Sequence, residues 1–507
     1  MTLLDDTLNK EFGYPAFRKG QKEIIQSVLE QRDVIAILPT GGGKSLCYHL
    51  PAIVLGGLTL VISPLVSLME DQVTQMKAAG HKKVAHLSSL LSREEKTHLL
   101  ENLEEYQIVF VSPEMIALPF IRERFKNQDI KLFVIDEAHC ISQWGHEFRT
   151  DYLRLSEVRR DLGNPPCLAL TATATPEVEK DIRLRLEMKN EAVYRLPVNR
   201  SNIFIASDIQ KNTAQKNKRF FEVINRIEKP AIVYTGTRNS AVNYSLQLQK
   251  HGFPNTAFYH GGIPKEERIL VQQQFLRDEL DIICCTNAFG MGINKSNVRS
   301  VVHLHIPSSV EQYVQEIGRA GRDEKQSMAL LLCSEEDRFL PLSLIESEFP
   351  QDWWITNFLM DDLSGKKVEE MERIYQPDEK QWKMLLYYLE NQQIISEGSF
   401  TMLQNPEKVI QEIKNHFEKR KKEKFIQLEK MNQMIASRSC LRKGISNYFK
   451  EETEESPDCC CSNCQSFESF IEKVKKQSAP EKETVQKHWK IELEDMLLRD
   501  AGGEKCE

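Results

Sequence analysis

The sequence has no long hydrophobic run. Its longest uncharged apolar stretch, Leu50 to Met69, is interrupted by two prolines, two glycines and two serines. That is too polar for a membrane span of about 20 apolar residues. The first residues, MTLLDDTLNKEF, are acidic and lack a basic segment ahead of an apolar one. No secretory signal is expected, and the cytoplasm is the default location. A basic excess is missing too: 67 Lys and Arg face 74 Asp and Glu, a formal charge of −7. Net charge gives no support for a polyanionic partner, but a binding channel needs only local charge. No internal repeat is visible. At about 150 residues per domain, 507 residues predict three or four domains.

Cysteine is not scarce. Seven of the twelve (Cys47, Cys140, Cys167, Cys284, Cys285, Cys333, Cys506) are scattered, mostly in apolar runs where a thiol packs as a small hydrophobe. The other five fall between Cys440 and Cys464. In a cytoplasmic chain such a cluster predicts a metal site rather than disulfides.

Short runs rich in Val, Ile and Leu alternate with helical patterns over residues 1–200. The runs are Val34–Leu38, Leu58–Ser63, Gln107–Ser112, Leu132–Asp136 and Cys167–Thr171. Continuous apolar runs suit strands buried on both faces, and βα repetition predicts a doubly wound parallel sheet. A second series follows over 201–340: Ile203–Ser207, Ala231–Thr235, Thr256–His260, Asp281–Thr286, Ser300–His305 and Met328–Cys333. Residues 341–410 hold Trp353, Trp354 and Trp382, then a hairpin pattern at 394–403. They read either as a winged-helix-like insertion or as a helical spacer. Residues 411–465 are helical and basic, then rich in cysteine; 411–450 carry eleven Lys/Arg against four Glu. This excess is a candidate track for a DNA backbone or a solvated helical face. Residues 466–507 read as a charged tail, with Val485, Trp489, Leu493 and Met496 at helical spacing.

Three motifs carry chemistry. LPTGGGKSL (38–46) joins a buried strand to a helix. Its glycines let backbone N–H groups turn toward phosphate oxygens, Lys44 reaches the terminal phosphates, and the Ser45 hydroxyl suits Mg²⁺. The GxxxxGK[ST] spacing fails at Leu38, leaving the shorter TGxGKS form. VIDEAH (134–139) ends another strand, with Asp136 placed for Mg²⁺ and Glu137 for the attacking water. QEIGRAGRD (315–323) sets Arg319 and Arg322 three apart, so that on a helix they would share a face. Guanidinium groups suit transition-state phosphate oxygens.

These motifs and their order resemble the RecQ family of DNA helicases within superfamily 2. The resemblance adds FGYPAFRKGQ (12–21), SPLVSLMEDQV (63–73), CISQWGHEFRTDY (140–152), LTATAT (170–175), IVYTGTR (232–238), YHGG (259–262) and TNAFGMGINK (286–295). It implies two RecA-like domains followed by a mainly helical zinc-binding region, and ATP, Mg²⁺ and Zn²⁺ as cofactors. It implies an ATP site of Tyr14, Arg18, Gln21, Thr40, Gly41, Gly42, Gly43, Lys44 and Ser45. Tyr14 would stack on adenine, and Arg322 would be the arginine that reaches the γ-phosphate. Trp144, Phe148 and Arg149 would contact single-stranded DNA, coupled to hydrolysis through Gln143 and His146. An aromatic plane stacks on any base without reading sequence. The implied activity is 3′→5′ translocation on single-stranded DNA and unwinding of forked DNA in recombination and repair. The alternatives are an RNA-directed enzyme of the superfamily and an ATP-switched, non-enzymatic DNA-binding or annealing protein. The sequence names no protein partner.

The chain departs from the family plan. The usual C-terminal winged-helix and terminal helical domains are not expected after Cys464. The cysteines are also closer than usual: Cys440, then Cys459, Cys460, Cys461 and Cys464. Cys440 and the Cys461–Cys464 pair are expected zinc ligands. In an extended chain, residues i and i+2 point the same way, so Cys459 is expected as the fourth ligand in preference to Cys460.

Overall fold

The protein is described by a computed structural model covering residues 3–142, 149–290, 295–396, 398–452 and 457–477. The chain forms two compact units, Met1–Gln465 and Ser466–Glu507. In the second, the helix Phe467–Gln477 sets Phe470, Ile471 and Val474 along one stripe. The apolar positions expected at 485–496 lie outside the described residues.

The first unit begins with a seven-stranded sheet. Its strands are β1 (Val34–Ile37), β2 (Leu58–Ile62), β3 (Val84–Leu87), β4 (Ile108–Val111), β5 (Ile130–Ile135), β6 (Cys167–Thr171) and β7 (Ala192–Arg195). The order is β3-β4-β2-β5-β6-β1-β7, with parallel pairings throughout. Alternation along β1 sends Ile35 and Ile37 into one core and Val34, Ala36 and Leu38 into another. Both faces are thus covered by helices, which is why the strand reads as an unbroken apolar run. Strands β3 and β7 carry no such run. They lie at the two edges, where His86 and Arg195 need no full burial.

A second parallel sheet follows: β8 (Ile203–Gln210), β9 (Ala231–Tyr234), β10 (Thr256–Tyr259), β11 (Ile282–Cys285), β12 (Ser300–His303) and β13 (Ser327–Ser334), in the order β10-β11-β9-β12-β13-β8. Four helices come next (Phe339–Glu348, Asp352–Met360, Val368–Tyr375, Glu379–Asn391). The hairpin pattern becomes a pair of two-residue strands, β14 (Ile395–Ser396) and β15 (Ser399–Phe400); Glu397 at its tip lies outside the described residues. A 31-residue helix, Pro406–Ala436, and a short one, Leu441–Tyr448, complete the unit. Trp382, Phe358 and Phe417 belong to the same core as Ile232 and Leu331 of the second sheet. The helical region therefore has no core of its own. Trp354 and Trp382 pack edge to face at 6.4 Å inside it, while Trp353 is exposed.

The candidate nucleotide site and the four-cysteine cluster

The phosphate loop leaves the C-terminal end of β1 and enters the helix Leu46–Leu55. In an open parallel sheet this is where ligands bind. The Gln21 amide donates to Gly42 O (3.2 Å) and Gly43 O (3.0 Å), and Arg18 donates to Gly41 O. A Cβ on Gly43, whose φ is +76°, would fall on that amide. Arg18 N in turn donates to Gln21 Oε1 at 2.8 Å. Arg18 and Gln21 thereby occupy the carbonyl side of the loop, and its N–H side can face phosphate. Tyr14 precedes them, 55% exposed, with its ring open to stacking.

Beyond β5, Glu137 N donates to Asp136 Oδ1 at 3.0 Å, and Lys44 Nζ lies 3.4 Å from Glu137 Oε1. Burial pushes the Asp136 carboxyl up to about 6; Lys44 opposes the shift and Glu137 reinforces it. A buried carboxylate of this kind gains most from a hard cation beside it, so Asp136 with the Ser45 hydroxyl fits Mg²⁺. His139 Nδ1 lies 2.9 Å from Thr171 Oγ1 at the end of β6 and 3.4 Å from Glu137 Oε2. That ties the carboxylate motif to LTATAT, a link that the separate motifs do not display.

The second sheet supplies the rest. Gly318 follows the helix Val310–Ile317, and a Cβ there would lie 2.9 Å from Thr40 Cβ. Only glycine allows the two sheets this approach. Arg319 is buried and donates to Gly290 O. The Arg322 guanidinium is drawn down to about 9 by burial and by Arg319 and Arg200. Cations from both sheets thus crowd one loop, an arrangement suited to a triphosphate. Arg200 belongs to no motif and the sequence reading missed it. Its only signal is its place in the connection between the two strand series.

Of the expected DNA-contacting and coupling residues, Gln143, Trp144, His146 and Phe148 lie outside the described residues. Arg149 is described; its Nη1 donates to Pro64 O at 2.8 Å, tying the end of that segment to the SPLVSL motif. Part of the basic stretch is engaged within the protein. Lys424 pairs with Glu348 (2.6 Å), Lys450 with Glu177 (2.7 Å), and Lys421 approaches Glu418 (3.9 Å). Arg420 and Arg442 are buried, and Lys430 lies over the Tyr448 ring.

Cys440, Cys460, Cys461 and Cys464 place their sulfurs within 4.8 Å of one another. Sγ separations are 3.5 Å for Cys440–Cys460, 3.8 Å for Cys440–Cys461 and 3.5 Å for Cys461–Cys464. Four thiolates about 2.3 Å from a central ion lie roughly 3.8 Å apart, so the set fits tetrahedral zinc. Cys459 is not in the cluster, which corrects the expectation from strand alternation. The chain bends at Asp458–Cys459, and Cys460–Ser462 then lies along the outer edge of β8. Ile205 N donates to Cys460 O (3.4 Å) and Ser462 N to Ile205 O (2.9 Å). The bend falls at Cys459 itself, which breaks the alternation assumed between Cys459 and Cys461, and the adjacent Cys460 and Cys461 both reach the cluster. Burial raises the Cys440 thiol, but hydrogen bonds from Lys443 N–H and the neighbouring thiols prevail and bring it to about 7.

Comparison with known proteins agrees with this geometry. Residues 18–182 match the DEAD/DEAH box helicase family, 215–324 the helicase conserved C-terminal domain, and 401–465 the RecQ zinc-binding family. The chain is 41% identical over 475 residues to the probable ATP-dependent DNA helicase RecS of Bacillus subtilis (strain 168), covering 92% of each chain. The chain belongs to the RecQ family of ATP-dependent DNA helicases. The RecQ-family chain is 43% identical to the ATP-dependent DNA helicase RecQ of the same organism, over 66% of its own length and 57% of that protein's. Its fold is similar to the DEAD-box helicase Mss116 bound to ssRNA and UDP-BeF (TM-score 0.57, 18% identity, 77% of this chain and 89% of that one). It is also similar to the helicase MrfA bound to DNA (TM-score 0.56, 20% identity, 67% and 52%). At these identities the likeness is one of fold. No described helix is long and apolar enough to cross a membrane.

Proposed function

We propose that this RecQ-family helicase hydrolyses ATP with Mg²⁺ to move 3′→5′ along single-stranded DNA and to open forked duplexes. Its setting would be recombination and repair in the cytoplasm. The observation that carries the reading is the meeting of Lys44 with Glu137 at 3.4 Å, beside a loop that Gly318 and Arg322 of the second sheet's domain also approach. A site closed by two separate sheets changes shape when the γ-phosphate leaves, which is what a motor requires. Ser45 and Asp136 would hold Mg²⁺, which supplies charge neutralisation on the phosphates. Glu137 would orient and deprotonate the attacking water, while Lys44 and Arg322 stabilise charge on the transferred group. Trp144, Phe148 and Arg149 would grip the strand, with Gln143 and His146 relaying its presence to the ATP site. Cys440, Cys460, Cys461 and Cys464 would hold a structural zinc.

Strand separation measured on 3′-tailed, 5′-tailed and blunt DNA tests the assignment. Opening of the 3′-tailed substrate alone, lost in Lys44→Ala together with a fall of about 10²–10³ in ATPase rate, is the expected outcome. Opening of the 5′-tailed substrate alone would reverse the polarity. Wild-type turnover by Lys44→Ala would overturn the ATPase site.

A further inference from the structure

Arg200 lies in the connection between β7 and β8, in the seam between the sheets. Its Nη1 donates to Thr40 O of the phosphate loop and to Gly318 O and Ala320 O of the arginine loop, each at 3.3 Å. Its Nη2 donates to Asn202 Oδ1 (3.3 Å) and to Gly321 O. These partners are neutral oxygens, and no carboxylate pairs with Arg200 among the described residues. One guanidinium therefore bridges the loop that would hold phosphate to the loop that carries Arg319 and Arg322. Asn202 supports it, donating to Gly321 O (2.8 Å) and Lys325 O (2.9 Å).

The backbone around Arg200 is held from the cysteine-bearing segment. Arg442, 4% exposed, stands two residues after Cys440. Its Nη1 donates to Arg200 O (2.9 Å) and to Asn199 Oδ1, and its Nη2 to Ile203 O (2.5 Å) and Cys460 O (3.2 Å). The Glu451 carboxylate accepts from Val198 N at 3.0 Å. A buried guanidinium whose two terminal nitrogens reach four acceptors in two directions holds its surroundings in one arrangement. A contiguous path of hydrogen bonds thus runs from the cysteine cluster through Arg442 and Arg200 to both halves of the ATP site.

We propose that Arg200 is a positioning residue for ATP hydrolysis, locking the arginine loop against the phosphate loop, and that Arg442 sets its place on behalf of the zinc-binding segment. This rests on the ATPase reading above. Nucleotide would still bind the first sheet through Lys44, Gln21 and Tyr14 without Arg200, but Arg319 and Arg322 would lose their registration. The loss belongs in turnover and not in ground-state affinity.

The test uses the full chain as Arg200→Ala, Arg200→Lys, Arg442→Lys and the double variant Arg200→Ala/Arg442→Lys. The measurements are DNA-stimulated ATPase, binding of a fluorescent ATP analogue, zinc content and melting temperature. Arg200→Ala should lower kcat by about 10–100-fold with KM for ATP within about threefold. Lysine should not rescue, because a point ammonium cannot span both loops. Arg442→Lys should lower kcat with zinc content unchanged, and the double variant should be no slower than Arg200→Ala, since the two act through one path. A kcat for Arg200→Ala within about twofold of wild type, or defects that multiply in the double variant, would overturn the proposal. So would a large rise in KM with kcat kept, which would make Arg200 a simple nucleotide-binding group. Should Arg442→Lys lose zinc or melt early, Asn202→Ala replaces it, with the same loss of kcat at constant KM expected. Lys44→Ala is the control: if it turns over ATP, the ATPase reading fails; if it does not and Arg200→Ala does, only the positioning role fails.

Discussion

Cys459 and Cys460 differ by one position and by their surroundings. Both are buried, yet only Cys460 has its sulfur 3.5 Å from that of Cys440. Cys460→Ser should therefore lower bound zinc well below one per chain, while Cys459→Ser should keep it, as read by metal analysis of protein never exposed to chelator. Retention by Cys460→Ser with loss in Cys459→Ser would restore the alternation argument. The phosphate loop after β1 and the carboxylate pair after β5 were legible because the chemistry dictates residue type and spacing. A loop of glycines ending in Lys-Ser, and an Asp-Glu pair at a strand end, have few other uses in one chain. Arg200 and Arg442 were not legible. A lone arginine acquires meaning only from the carbonyls around it.

At the scale of elements, β12 ends in a buried polar cluster. His303 Nε2 lies 2.8 Å from Glu316 Oε2, and His305 stands two positions on. Burial lowers His305 to about 4; Glu316 opposes this and His303 adds to it. Below pH 6.5 the unfolded chain takes up a proton on this imidazole that the folded protein refuses until about pH 4. The stability it confers is therefore complete above pH 6.5 and drains away as pH falls. At pH 5 the loss is about 2 kcal/mol. Urea unfolding at pH 7.5 and pH 5 should show that decrement in wild type and a smaller one in His305→Asn; equal decrements would refute it. Sheet-level expectations were readable in the central strands, whose apolar runs reflect burial on both faces. Edge strands β3 and β7 escaped because they carry no such run, unlike edge strands β8 and β10.

At the scale of the molecule, the two sheets keep separate cores. Ile35 and Val34 belong to the first sheet's cores, and Ile232 to the core shared with the helical region. The sheets meet at the ATP site through polar contacts and through Gly318 against Thr40. Gly318→Val should therefore hold the sheets apart and lower DNA-stimulated ATPase by about tenfold or more, the scale of a misplaced catalytic group. The melting temperature should move little, since neither core is touched. A large drop in melting temperature with ATPase retained per folded molecule would show that the contact serves stability.

The sequence by itself determined the two parallel sheets, the nucleotide-binding chemistry at their strand ends and the presence of a cysteine cluster. Each follows from local rules: apolar runs follow burial, glycine follows close backbone approach, and ligand chemistry follows residue type. The tertiary structure alone decided which cysteine joins the cluster, that part of the basic stretch is engaged within the protein, and that Arg200 spans the seam. These depend on where distant segments meet, as Cys460 meets β8 and Lys424 meets Glu348. No local periodicity encodes such meetings, because each is set by the packing of elements far apart in the chain.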